Sequence, residues 1–374
     1  MNGANALRPV KLGMKTVLNL CFVIHLLTTA VPSPAQERPP EPLYSVDLSK
    51  LVSQELDINP AGTLTFLTQR TVAVSICRNL RCYLETLDFG TDNPRVIGGI
   101  RTDAFQVTGA LFRAPDGDVI AGNRVLDLKL REVSQIAKDA GNRPSYISTT
   151  GETFVKQDPD DWVAYKMERP RQQILAGTGR ILSISDDAVA YFDDGTVHIE
   201  GMDGTTLGSF ATPTSKTLNF GSYPIAPKPI PTLRFLGRDR LWSENGSDVK
   251  ILDFSGKTIQ TLERPDGWGF RIGQSSDGSR ILYDRYTRHV PLARKIEETA
   301  AAAMGVGADE ESNGELVLVI DARSGKKCFE WNSSANLLVA GQFHADIDPS
   351  GRLIAIITPT TLNIYRLPER CVAD

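Results

Sequence analysis

Short runs of alternating apolar and polar residues, separated by turns rich in Gly, Asp, Asn and Ser, dominate the chain from Leu43 onward. Such alternation is typical of half-buried strands, and the runs are rich in the β-branched and aromatic residues that favour strands. The stretch DIDPSGRLIAIITPTTLNIYRL, residues 346–367, shows the unit clearly: a turn, an apolar strand, a second turn and an alternating strand. This pattern predicts an all-β protein.

The same unit recurs along the chain in looser copies, each marked by a glycine at a tight turn, where a positive φ is often required. The seven marker glycines are Gly62, Gly117, Gly151, Gly179, Gly237, Gly278 and Gly351. A second element, VKILDFSGKTI at 249–259 and LVLVIDARSGKKCF at 316–329, ends one strand with Asp253 or Asp321. The turn into the next strand then contains Gly256 or Gly325. The units are therefore predicted to be four-stranded antiparallel sheets.

These residues carry a family resemblance. PSGRLIAIIT with LNIYRL, and DGSRILYD with LVLVIDARSGKK, resemble blades of WD40-like and YVTN-like β-propellers over roughly residues 43–370, although the GH and WD dipeptides of WD40 blades are absent. The resemblance implies a β-propeller of about seven four-stranded blades. It also implies a closing blade shared by the two chain ends, with LYSVDL (43–48) as the outer strand of the sheet formed by 346–367. The alternative is a pair of β-sandwich domains.

One late segment breaks the strand pattern. Within residues 287–313, Pro291 suits a first helical position, and an apolar stripe with helical spacing follows it. We expect a helical insertion in one late blade. It is either a surface insertion or a lid or docking element beside the ring.

The N-terminus predicts export. Residues 1–35 combine three basic side chains, an apolar run and a small-residue exit, as in a signal peptide. Residues 36–42 read as a Pro-rich linker, which leaves residues 43–374 for the propeller domain. We expect a periplasmic or extracellular protein with no stable membrane span after cleavage. An uncleaved anchor at 14–31, holding a cell-envelope protein, is the alternative.

Four cysteines remain once residues 1–35 are removed, and an exported protein meets oxidising conditions. Cys77 and Cys82 flank a short turn between two apolar runs, so they can face each other across a hairpin. Cys328 and Cys371 would then pair. The alternative is four free, partly buried thiols.

Charge and motifs exclude several functions. Beyond residue 35 the chain has 38 basic and 45 acidic residues without a basic block, which argues against nucleic-acid binding. His198, His289 and His344 are scattered, so no metal site is predicted. DARSGKKCFEW at 321–331 is similar to the docking motif of quinoprotein propellers but stands alone. No cofactor is therefore expected.

The leading hypothesis is a monomeric, noncatalytic binding or scaffolding protein that recognises a protein or small ligand on one face of the ring. The alternative is a secreted lactonase-like or glycan-cleaving propeller enzyme with its site at the central channel, for which the catalytic residues are unknown. Side chains near predicted strand starts are candidates for the channel: Arg101, Arg271, Arg285 and Tyr286.

Overall fold

Within the described residues, the chain forms 28 β-strands in seven antiparallel sheets of four. In each sheet consecutive strands pair as a meander, and the sheets are the blades of a propeller. The all-β, seven-bladed prediction is confirmed, and paired β-sandwich domains are excluded. The computed structural model describes residues 40–48, 61–78, 81–90, 94–103, 111–121, 124–136, 146–159, 161–168, 172–211, 232–245, 248–263, 268–288, 313–333, 345–358 and 361–371.

Blades 1 to 4 follow one another along the chain, and in each blade the strands run in sequence order from the centre of the ring outward. Blade 1 contains β2 (Ala61–Phe66), β3 (Thr71–Arg78), β4 (Arg81–Asp88) and β5 (Arg95–Asp103). Blade 2 contains β6 (Leu111–Arg113), β7 (Val119–Ala121), β8 (Arg124–Leu126) and β9 (Glu132–Gln135). Blade 3 contains β10 (Tyr146–Ile147), β11 (Thr153–Gln157), β12 (Asp161–Lys166) and β13 (Gln173–Thr178). Blade 4 contains β14 (Arg180–Ile184), β15 (Ala188–Asp193), β16 (Thr196–Gly201) and β17 (Thr206–Ala211).

Blades 5 to 7 complete the ring. Blade 5 contains β18 (Thr232–Leu236), β19 (Arg240–Asn245), β20 (Asp248–Leu252) and β21 (Thr258–Glu263). Blade 6 contains β22 (Trp268–Gln274), β23 (Arg280–Arg288), β24 (Asn313–Asp321) and β25 (Lys327–Ser333). Blade 7 contains β26 (Ala345–Ile347), β27 (Leu353–Ile357), β28 (Thr361–Arg366) and, outermost, β1 (Tyr44–Asp47).

In the described part of the chain, the hydrophobic core is divided into seven clusters, and each cluster lies between two consecutive blades. Between blades 7 and 1, for example, Ala355 and Ile364 pack with Leu64 and Val74, all of them at most 1% exposed. A single sheet cannot bury both of its faces, so each blade depends on its two neighbours for its core.

The closing blade matches the prediction for 43–48. Strand β1 pairs antiparallel with β28, with Val46 opposite Leu362, so the two ends of the described chain share one sheet. Buried carboxylates link this blade to both neighbours. Asp346 accepts a hydrogen bond from the backbone N of Phe66 in blade 1 (2.8 Å), and Asp284 in blade 6 accepts one from the N of Ala345 in blade 7 (3.0 Å).

Five of the seven marker glycines lie in the turn between the first and second strands of a blade, each with the positive φ expected at a tight turn. In blade 7, Gly351 has a φ of +69°, and the buried carboxylate of Asp348 accepts hydrogen bonds from the N of Arg352 and the N of Leu353, both at 2.6 Å. The other four are Gly117, Gly151, Gly237 and Gly278.

One marker glycine was misassigned, since Gly62 lies inside β2. Gly179 is at a tight turn with a φ of +92°, as predicted, but this turn joins β13 to β14 and so connects two consecutive blades. The corresponding turns of blades 1 and 4 use a hydroxyl side chain as the turn acceptor. Thr68 Oγ1 accepts from Arg70 N (3.1 Å), and Ser185 Oγ accepts from Ala188 N (3.0 Å). A side-chain cap of this kind stabilises a turn without a glycine.

The predicted turns after the third strand are confirmed. Asp253 Oδ1 accepts from the backbone N of Ser255 (2.9 Å) and of Lys257 (3.0 Å), while Asp321 Oδ1 accepts from Ser324 N (2.7 Å). Just beyond this turn, the outer strands of blades 1 to 6 each contain a β-bulge. The extra residues are Ile97, Val133, Ile174, Leu207, Ile259 and Cys328.

The predicted insertion connects β23 and β24, two paired strands of blade 6. Thr287, Arg288 and Asn313, its outermost residues, are strand residues, which corrects its boundaries. Residues 289–312 lie outside the described residues, so the helix stays a prediction. A 3₁₀ turn spans Pro115–Gly117, and no helix in the described part of the chain is long and apolar enough to cross a membrane.

A disulfide joins the last two blades. Cys328, on the bulge of β25, is bonded to Cys371, which follows blade 7. The guanidinium of Arg280 lies against both sulfurs, and its Nη2 donates to the carbonyl oxygens of Pro368 (3.1 Å) and Glu369 (3.0 Å). Cys77 and Cys82 are directly opposite each other in β3 and β4, as the hairpin prediction requires. Their side chains lie outside the described atoms, so that bridge stays a prediction.

We expect the double substitution Cys328→Ala with Cys371→Ala to lower the free energy of unfolding by about 2–4 kcal/mol, because the bridge restricts the unfolded chain. Urea unfolding under oxidising conditions, followed by tryptophan fluorescence, measures the change. Wild-type protein in reductant should approach the double variant. An unchanged midpoint would contradict a stabilising role.

A buried acid lies near the closing interface. Glu85 on β4 is 8% exposed, Gly99 is opposite it on β5, and its Oε2 has no hydrogen-bond partner among the described residues. Burial raises the pKa of Glu85 from 4.5 to about 7. The folded state therefore favours the protonated carboxyl, and the stability that this proton provides is complete below pH 4.5 and is lost as the pH rises through 7.

Glu85→Gln should therefore raise the free energy of unfolding at pH 8, by on the order of 2 kcal/mol, and change it little at pH 5. Urea unfolding at the two pH values tests this, with Glu132→Gln, at a more exposed position, as the control. Equal stability of Glu85→Gln and wild type at pH 8 would show that the carboxyl ionises without cost.

Candidate functional site

A cavity of about 650 Å³ lies along the inner strands of all seven blades. Cavities of this size take small organic molecules. Its lining mixes apolar and polar side chains, among them four charged ones: Arg113, Arg180, Arg234 and Asp346.

The two faces of the ring differ. We call turn face the one that carries the turns between first and second strands, residues 67–70, 114–118, 148–152, 185–187, 237–239, 275–279 and 348–352. Because the strands alternate in direction, the connections from second to third strands, and from each blade to the next, begin and end on the opposite face. We call this the connection face. Arg288 and Asn313, which flank the predicted insertion, both lie at this face.

Side chains from blades on opposite sides of the ring meet at the turn face. Arg113, the last residue of β6, donates from Nη2 to the carbonyl oxygen of Thr149 in blade 3 (2.9 Å) and to Ser276 Oγ in blade 6 (3.1 Å). These bonds cross the channel, so the turn-face end of the cavity is bridged by protein.

A second bridge reinforces the first. Gln274, the last residue of β22, donates from Nε2 to Thr149 Oγ1 (3.2 Å) and to the carbonyl oxygen of Phe235 (2.8 Å), and its Oε1 accepts from Gly237 N (3.2 Å). One amide thus links blades 3, 5 and 6.

The electrostatics of the bridge explain why an arginine is tolerated there. Burial lowers the pKa of Arg113 below its ordinary value, while carboxylates oppose this shift, Asp346 first and then Asp186. Asp346 itself accepts hydrogen bonds from Thr65 Oγ1 (3.1 Å) and Phe66 N. Arg113 and Asp346 therefore belong to the closed end and to the scaffold.

The remaining two cations lie on neighbouring inner strands. Arg180 begins β14, and Arg234 lies in the middle of β18; both side chains are exposed. The guanidinium carbon of Arg234 is 5.9 Å from the ring centre of Trp242, the residue directly opposite it on β19, which fixes its orientation by a cation–π contact.

Blades 2 and 3 add aromatic side chains to the lining. Phe112 on β6 is 38% exposed, and Tyr146 on β10 is half-buried. An exposed Phe on an inner strand is unusual for a core position, and it presents an apolar surface to the cavity.

The sequence-predicted channel residues are spread over three kinds of strand. Arg271 is on the inner strand β22, Arg285 and Tyr286 are on the second strand β23, and Arg101 is on the outer strand β5. Their side chains lie outside the described atoms, so a role for them stays a prediction. The structure does not place the four on one strand or in one blade.

The histidines do not converge in the described part of the chain. His198 is on β16, a third strand, where it stacks on Tyr191 with ring centres 5.1 Å apart, and it does not line the cavity. His289 and His344 lie outside the described residues. No group of three His, Cys, Asp or Glu side chains that could hold a metal is found among the described residues.

Sequence reasoning missed Arg113, Gln274, Arg180 and Arg234. A signal was present for the first two, since each is the last strand residue before a marked turn: Arg113 precedes APDGD, and Gln274 precedes SSDGS. Arg180 and Arg234 have no such marker.

No family model matches the chain, and no curated protein matches it. Among solved structures it is similar to Chaetomium thermophilum Raptor, with a TM-score of 0.54 and 9% identity over 90% of this chain and 29% of that one. It is also similar to an oligogalacturonate lyase in complex with manganese (TM-score 0.46, 12% identity, 83% of this chain and 91% of that one) and to KlHsv2 with loop 6CD replaced by a Gly-Ser linker (0.46, 12%, 83% and 99%). The likeness to Raptor shows the propeller fold alone, and the other two carry no conclusion.

Gln274→Ala should lower the free energy of unfolding by about 1–3 kcal/mol, because three hydrogen bonds are lost and Gly237 N is left without an acceptor. Gln135→Ala removes an exposed amide that bonds Glu132 (2.9 Å) and should change stability by less than about 0.5 kcal/mol. Urea unfolding of both variants makes the comparison. If both substitutions lower the free energy of unfolding equally, the bridge contributes no more stability than the hydrogen bond of Gln135.

Proposed function

We propose that this protein is an exported, noncatalytic binding protein that takes a small molecule into the central cavity from the connection face. One observation carries the proposal: a cavity of about 650 Å³ whose turn-face end is bridged by Arg113 and Gln274. A concave site with a closed floor is the usual form of a small-molecule site, and a propeller holds it rigidly. Export rests on the predicted signal peptide at residues 1–35.

The lining favours binding over catalysis. General acid–base chemistry needs a titratable group within hydrogen-bonding reach of the substrate. The one carboxylate that lines the cavity, among the described residues, is Asp346, and it accepts hydrogen bonds from Thr65 and Phe66. His198, the described histidine, does not line the cavity.

A bulky side chain at the connection-face end of the cavity, which we call the mouth, should prevent a ligand from entering. Thr232 is an exposed lining residue at the start of β18, and Thr206 is exposed at the start of an outer strand, β17. We expect wild-type residues 36–374 to bind the fluorescent apolar probe N-phenyl-1-naphthylamine at one site per chain. Thr232→Trp should lose this binding by tenfold or more, while Thr206→Trp keeps it. Fluorescence titration measures the affinity, and circular dichroism checks the fold.

Two outcomes would overturn the proposal. One is the absence of saturable one-to-one binding of this probe and of its sulfonated analogue 1-anilino-8-naphthalenesulfonate. The other is binding that Thr232→Trp and Thr206→Trp affect equally, which would place the probe outside the cavity.

A further inference from the structure

Two of the four charged side chains that line the cavity form hydrogen bonds with other parts of the protein. Arg113 bonds Thr149 and Ser276, and Asp346 bonds Thr65 and Phe66. Among the carboxylates near Arg113, Asp346 does most to raise the pKa of its guanidinium. The other two charged side chains of the lining are both cations, Arg180 and Arg234, and Arg234 has contacts of its own within the protein, among them the ring of Trp242.

Arg180 is placed for a ligand. It is exposed at the start of β14, on the connection-face side of the lining, and its guanidinium has no hydrogen bond or ion pair with any described residue. A guanidinium has five donors in a planar fork that matches the oxygens of a carboxylate or phosphate.

Arg234 lies within reach of the same ligand group. Ser183 Oγ on β14 accepts from Phe235 N on β18 at 3.0 Å, which sets the level of the two strands. Arg180 comes three residues before Ser183, and Arg234 comes one residue before Phe235. With a rise of about 3.3 Å per strand residue, the backbone of Arg180 therefore lies about 3–7 Å nearer the connection-face end of the cavity than the backbone of Arg234. Two extended arginine side chains can span that offset. The Trp242 ring orients the second guanidinium before any ligand arrives.

The lining thus combines two kinds of group. Blades 4 and 5 provide the guanidinium groups of Arg180 and Arg234 beside apolar side chains, and blades 2 and 3 add the aromatic surfaces of Phe112 and Tyr146. A neutral apolar ligand would give the donors of Arg180 no acceptor, and a small inorganic anion would leave the aromatic and apolar surfaces in contact with water. A molecule with an anionic group and an apolar body satisfies both kinds of group.

We infer that the ligand is an amphipathic anion: a carboxylate, phosphate or sulfate group on an apolar or aromatic body. Arg180 and Arg234 receive the oxyanion, and Phe112 and Tyr146 pack against the body. This inference rests on the proposed function, since it specifies the ligand of the same cavity.

A matched pair of probes tests the inference. 1-Anilino-8-naphthalenesulfonate and N-phenyl-1-naphthylamine share one aromatic body and differ by a sulfonate. Arg180→Met and Arg234→Met remove the charge and keep an unbranched apolar side chain. Arg366→Met, at an exposed position on β28 outside the cavity lining, removes the same charge elsewhere.

The wild type should bind the sulfonated probe about tenfold or more tightly than the neutral one, as expected for charge-assisted hydrogen bonds. Each cavity variant should reduce that preference severalfold, and the double variant should abolish it, with the affinity for the neutral probe unchanged. Raising the salt concentration from about 50 to about 500 mM should weaken the sulfonated probe alone. Arg366→Met should match the wild type.

The failures are distinguishable. If both probes bind in a manner sensitive to Thr232→Trp but without a preference that depends on Arg180 or Arg234, the cavity binds ligands and the anionic class is wrong. If Arg366→Met lowers the preference for the sulfonated probe as much as the cavity variants do, the preference comes from the overall charge of the protein and the inference is overturned. If neither probe binds, the proposed function itself fails.

Discussion

Burial between blades is the constraint on which the rest of this structure depends. Each four-stranded sheet has two apolar faces and no core of its own, so it is stable only when both faces are covered. Seven clusters at seven interfaces provide that cover, and they work only if the ring is closed. Placing β1 beside β28 closes it, because two distant parts of the chain then form one blade.

The closing blade is joined to both of its neighbours by buried carboxylates and to blade 6 by a disulfide as well. Asp346 bonds blade 1, Asp284 in blade 6 bonds blade 7, and the bridge from Cys328 to Cys371 ties the chain that leaves blade 7 to the outer strand of blade 6. Buried carboxylates are costly unless their oxygens accept hydrogen bonds, and here backbone N–H groups of the neighbouring blade provide them. Hydrogen bonds also join blades that are consecutive in sequence, as from Thr150 Oγ1 in blade 3 to Asp186 Oδ1 in blade 4 (2.5 Å) and from Phe235 N in blade 5 to Ser183 Oγ in blade 4 (3.0 Å).

The architecture could be predicted from the sequence because its signals are local. Alternation marks each strand, Asp253 and Asp321 mark a turn within one blade, and the segment 346–367 is a visible hairpin. Errors arose where different chemistry serves the same turn, as with Thr68 and Ser185 in place of a glycine. The cavity could not be predicted in the same way. Arg113 and Ser276 meet across the ring although 163 residues separate them, and no local pattern encodes that contact.

The same geometry explains why cavity arginines can differ so much in role. Every inner strand contributes side chains at several depths, and depth sets the environment. Arg113 is the last residue of its strand, where neighbouring turns bring hydroxyl, carbonyl and carboxylate oxygens around it. Arg180 is the first residue of its strand, far from those turns, and meets no such oxygen among the described residues. A guanidinium at the turn-face end is thus hydrogen-bonded within the scaffold, whereas one at the connection-face end is available to the ligand that we propose. The role of a cavity arginine therefore follows from its position along a strand as much as from its residue type.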